Sequence, residues 1–145
     1  MRPFLEMFGG EERSFRVALA ELRAIQSACD AGPAVVAERL ARCVQVKRAH
    51  PQANIFELLA LGLGDWRIED VREPILQALI GGGLSPNAAG ALVRRHIDDR
   101  GLKGLVENVE LALVCIAAGV ADDEDDPAMG ESPAGAESPT SPAGN

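Results

Sequence analysis

The side chains of this 145-residue chain that could do chemistry are two histidines, three cysteines and two acidic runs. Tetrahedral zinc sites draw three or four ligands from Cys, His and carboxylates at short, regular spacings. His50 precedes Pro51 in an expected loop, and His96 falls on the inner stripe of an apolar helix. No cysteine or carboxylate stands at ligand spacing from either, so no metal site is expected. Cys29, Cys43 and Cys115 each lie within an apolar helical stripe, which reads as buried free thiols in a reducing cytoplasm. Asp98-Asp99 and the DDEDD run at 122–126 lack the glycine and the spaced oxygen ligands of an EF-hand loop, and read as solvated acid. Gly81, Gly82 and Gly83 precede a helix start, where an anion could bind. They have no P-loop lysine and follow no expected strand, so a tight interhelical turn is the reading. With no Ser/His/Asp arrangement and no nucleophile elbow, neither an enzyme nor a cofactor is expected.

The remaining polar signals suit docking better than catalysis. Arg94 and Arg95 stand four residues before Asp98 and Asp99, the spacing of ion pairs on a solvated helix face. Trp66 is the only tryptophan of an aromatic-poor chain, and such a residue is either a core anchor or an exposed binding anchor.

These residues must be positioned mostly by helices. Val71, Ile75, Leu76, Leu79 and Ile80 recur at helical spacing, as do Leu92, Val93, His96 and Ile97, and then Leu105, Val106, Val109, Leu113 and Ile116. Helices are expected at about 20–30, 33–48, 54–63, 68–81, 85–99 and 104–119. Ser85-Pro86 and Asn54 supply start signals, and Gly119 a stop. Pro74 would remove a backbone bond inside the fourth of these, at a cost of about 3 kcal/mol. A first turn at 68–72 followed by the main helix from about Glu73 avoids that cost. Ahead of the helices, FLEMF and RSFRVA flank Gly9-Gly10, the signal of a β-hairpin over 4–18 that turns Phe4, Glu6 and Phe8 to one face and Phe15 and Val17 to one face. The expected fold is mainly α: a small helical bundle with an N-terminal β-hairpin, one globular domain over 1–120, and a disordered acidic Pro/Ser/Gly-rich tail over 121–145.

Charge separates the same way. The net charge is −8, and seven acidic residues with no basic one lie in 121–145, so the body is close to neutral. That argues against nucleic acid as a partner. No run approaches the ~20 apolar residues of a membrane span, and no signal-peptide core precedes Gly9, so no membrane partner is expected either.

Three segments taken together, FRVALAELRAIQSACDAGPAVVAERLA (15–41), WRIEDVREPILQALIGGGLSP (66–86) and GLVENVELALVCIAAGV (104–120), resemble the gene transfer agent tail protein family of phage-like clusters, described as tail tube or tail-assembly-chaperone-like. The resemblance covers most of 10–120. Two regions depart from it: CVQVKRAHPQANIFELLALGL, read as an extra segment before the tryptophan, and the longer acidic tail. The resemblance implies a non-enzymatic tail morphogenesis factor, foremost a chaperone for tape-measure or tail tube protein. Its alternatives are a structural tail tube component and a helical adaptor unrelated to phage. It implies the bacterial host cytoplasm or the tail of a phage-like particle as location, and a homo-oligomer as a further partner. No catalytic residue carries over. The docking or structural positions are Trp66, Arg67, Asp70, Arg72 and Glu73 on the signature, with Gly81, Gly82 and Gly83 at the turn.

Overall fold

The structure is a computed structural model that describes residues 2–125. Strands β1 (Phe4–Phe8) and β2 (Glu11–Phe15) form an antiparallel hairpin with Phe4 opposite Phe15 and Phe8 opposite Glu11. Gly9 and Gly10 take φ of +65° and +82°, the left-handed pair that a two-residue hairpin loop requires. Phe8, Phe15 and Val17 are buried and Phe4 stacks on Phe15 at 5.6 Å, whereas Glu6, expected on the same face as Phe4 and Phe8, is exposed.

Seven α-helices follow among the described residues: α1 (Leu19–Cys29), α2 (Pro33–Ala49), α3 (Ile55–Leu61), α4 (Ile68–Gly81), α5 (Pro86–His96), α6 (Gly101–Glu107) and α7 (Val109–Asp125). Local chemistry explains the ends. Asn54 Oδ1 accepts from Glu57 N while Glu57 Oε1 accepts from Asn54 N, a reciprocal cap for α3. Ser85 Oγ accepts from Ala88 N ahead of Pro86 at the first position of α5. α1 ends at Asp30, whose φ of +52° satisfies the left-handed termination usually given to glycine.

α4 is the central element, packed against α1, α5, α7 and β2. Val71, Pro74, Ile75, Ala78 and Leu79 are its buried face, and each large apolar side chain there contributes about 1.5–3 kcal/mol. Three sequence expectations change here. α4 runs unbroken through Pro74, so the proline is carried inside the helix, where its buried ring packs in the core. The helix expected at 104–119 is two helices, broken at Asn108, whose side-chain amide donates to Gly104 O at 2.7 Å. The second of them passes Gly119 and ends at Asp125, so residues 121–125, expected in the disordered tail, are helical backbone. The rest of that tail, 126–145, lies outside the described residues.

The glycine triplet does more than turn the chain. A Cβ on Gly81 would collide with Arg16 O, and one on Gly82 with Ser14 O. Arg16 N donates to Ala78 O at 3.0 Å, so the end of β2 lies directly on the backbone of α4. On the far side Lys47 Nζ donates to Val106 O and to Glu110 Oε1, both at 2.7 Å, bracing α2 against α6 and α7.

Candidate functional site

An apolar groove of about 750 Å³ lies between the end of α3, the loop to α4, and α6. Leu59, Leu63, Trp66, Ile68, Ile97, Leu102 and Leu105 line it, with Asp98 as its charged residue. Ile68 and Leu102 are 55% and 42% exposed, so the groove presents aliphatic surface to solvent at its mouth. Gly62 and Gly64, at φ of +89° and +94°, turn the chain back after α3. Trp66 then donates its indole N–H to Leu63 O at 3.0 Å, so its polar atom is satisfied and its half-buried ring is left as apolar wall.

The other signature residues hold the start of α4 in place. Asp70 is fully buried; its Oδ2 accepts from Arg67 N at 2.8 Å and from Arg39 Nη1 at 3.4 Å. Arg67 Nη1 donates to Cys29 O at 3.1 Å. The start of α4 is thereby tied to the end of α1 and to α2. Burial, with the Asp70 carboxylate beside it, pushes the Cys29 thiol up to about 12. Arg72 makes a two-pronged contact to Asp98, Nε to Oδ1 at 2.7 Å and Nη2 to Oδ2 at 3.0 Å, which raises the guanidinium further. That pair fixes the 97–101 turn that floors the groove. Glu73 lies 3.7 Å from Arg72 and accepts from Gln77 at 3.5 Å.

Of the docking positions that the resemblance implies, Trp66 alone lines the groove, together with Asp98 from the acidic pair. Arg67, Asp70, Arg72 and Glu73 do not line the groove, which Arg72 reaches only through Asp98, and Gly81, Gly82 and Gly83 lie at the other end of α4, under the hairpin. The expected pairing of Asp98 with Arg94 is replaced by Arg72, because α5 stops at His96 and the helical spacing never reaches residue 98. Leu59, Leu63, Ile68 and Leu102 were not legible as groove residues; their one signal was being large and apolar off the inner stripes. His96 packs edge-on against Phe8 at 5.5 Å, away from the groove. Among the described residues no three His, Cys, Asp or Glu side chains cluster as a metal site would require, and no helix is long and apolar enough to cross a membrane.

The family described as "Phage tail tube protein, GTA-gp10" matches residues 6–122, and the chain belongs to it. The match runs through 43–63, the stretch read as an extra segment, and sets aside an adaptor unrelated to phage. No curated protein and no solved structure matches the chain.

Proposed function

We propose that this member of the tail tube family acts as a tail-assembly chaperone, covering an apolar segment of the tape-measure or tail tube polypeptide before it polymerises. The observation that carries the reading is the groove: an open apolar surface whose wall is held by hydrogen bonds to the side chains of Asp70 and Asp98, so that it stays formed without an occupant. Such pre-organisation reduces the ordering cost of binding. Trp66 supplies the rigid aromatic surface, with Ile68 and Leu102 as flanking contacts, while Arg67, Asp70, Arg72 and Glu73 position it. A structural place in the tube is the second reading, and the family description favours it. Against it stands the small size of the sheet, two strands among the described residues, where a ring-forming subunit needs broad edges to pair.

Quantitative mass spectrometry of purified particles against host lysate separates the two. The chaperone reading expects the polypeptide in lysate, bound to tape-measure or tube protein, and missing from finished particles; a ring-multiple copy number in particles overturns it. Ile68→Asp and Leu102→Asp are expected to weaken that capture at least tenfold with melting temperature unchanged.

A further inference from the structure

β1 is paired on one side only: β2 lies along one edge, and no other strand is present among the described residues. In an antiparallel pair, residues alternate between hydrogen-bonded and non-bonded positions. Phe8 and Glu11 close a two-residue loop and so form a bonded pair, which turns the backbone N–H and C=O of Leu5 and Met7 to the open edge. The same two residues are 59% and 61% exposed. Of the usual protections of an edge strand β1 carries only a charge, Glu6: the register is continuous, without a bulge, and the strand contains neither lysine nor proline.

A second copy of this chain is a poor occupant. Two-fold pairing of β1 with itself uses all five residues only when centred on Glu6. That register sets Glu6 against Glu6 at a non-bonded position, where opposite side chains approach most closely, and like charges there are unfavourable. The charge that repels a copy selects a different strand. We propose that the open edge of β1 binds an extended segment of another polypeptide that places a basic residue opposite Glu6, with apolar residues on either side against Leu5 and Met7. Main-chain bonds supply the affinity and the central charge the selectivity. This site is separate from the groove and goes beyond the chaperone reading, since the edge takes such a strand whatever the protein's place in assembly.

The test uses the full-length protein, isotope-labelled, with two pentapeptide probes: acetyl-Ser-Val-Lys-Val-Ser-amide and its counterpart with Glu in place of Lys. The lysine peptide is expected to shift and protect the Leu5 and Met7 amides, with the glutamate peptide about fivefold weaker. The preference reverses in Glu6→Lys and disappears in Glu6→Gln, which keeps the shape and removes the charge. Glu6→Val self-associates through this edge in sedimentation, and the natural protein does not. Equal binding of both peptides, no response at Leu5 and Met7, or dimerisation of the natural protein through β1 overturns the proposal. So does protection of those amides before any peptide is added, which would mark an occupant from the chain itself. Failure of tape-measure or tube capture leaves the peptide result untouched, so the two readings fail separately.

Discussion

Asp70 shows how a residue can be legible as important and illegible in role. Its carboxylate is buried, and its hydrogen bonds reach two different stretches of chain: Arg67 at the start of its own helix and Arg39 on α2. Asp70→Ala leaves the Arg39 guanidinium and the Arg67 N–H without their acceptor, and is expected to lower stability by about 3 kcal/mol, read from denaturant unfolding. Asp70→Asn, which keeps one oxygen, should lose less. Full stability in the alanine variant would remove the brace from the account. The three thiols behave as the stripe positions implied, all buried and all pushed up by burial. For Cys29 the folded value is about 12 against an ordinary 9.0. Below pH 9 both folded and unfolded chains keep the proton. Above it the unfolded thiol ionises first, so the contribution of Cys29 to stability falls as pH rises from 9 towards 12, by about 1.4 kcal/mol per unit. Thiol reagents at pH 8 should therefore label the cysteines only as fast as the protein opens. Rapid labelling in native buffer contradicts their burial.

At the scale of elements, periodicity found the helical stretches but merged α6 with α7 and misplaced the ends that depend on long-range contacts. Asn54 and Ser85 were readable because a cap is a local bond. Asn108 was not, since the break between α6 and α7 uses an amide-to-carbonyl contact that resembles any helical asparagine in sequence. Pro74 was read as a boundary because its ring removes a helical donor, yet packing of α4 on four neighbours outweighs that cost. Pro74→Ala restores a donor for Asp70 O and should raise stability by about 1 kcal/mol once lost ring packing is deducted, measured as an increase in denaturation midpoint. α3 lies at the opposite extreme. Leu58 is its one buried residue and Phe56 is 78% exposed, so its tertiary support is slight. Asn54→Ala should cost about 1 kcal/mol and speed amide exchange within 55–61 well before the rest of the chain opens. Uniform exchange across all helices would show α3 to be better held than its burial implies.

For the whole molecule, the mainly helical body with an N-terminal hairpin was legible from alternation and 3.6-residue spacing alone. The groove was not, because it is made where α3, the loop after it and α6 meet, and no local pattern encodes that meeting. Composition could say what the chain was unsuited to; the match to a tail family says which proteins it belongs with. The glycine triplet links the two levels. It was readable as a turn, but Gly82→Ala should do more than stiffen that turn. Its methyl would meet Ser14 O, and the expected loss is about 1–3 kcal/mol, with the hairpin amides losing protection before the helices do. Equal loss throughout would mean that the hairpin and body open as one.

Because Gly81 and Gly82 receive the end of β2 main chain to main chain, and Arg16 N holds it there through Ala78 O, the posture of the hairpin owes little to the exposed side chains of β1. Leu5, Glu6 and Met7 are thus free to vary while Phe8, Phe15 and the glycines keep the arm in place. Rewriting that tripeptide should redirect what the arm recognises and leave the body's melting behaviour as it was.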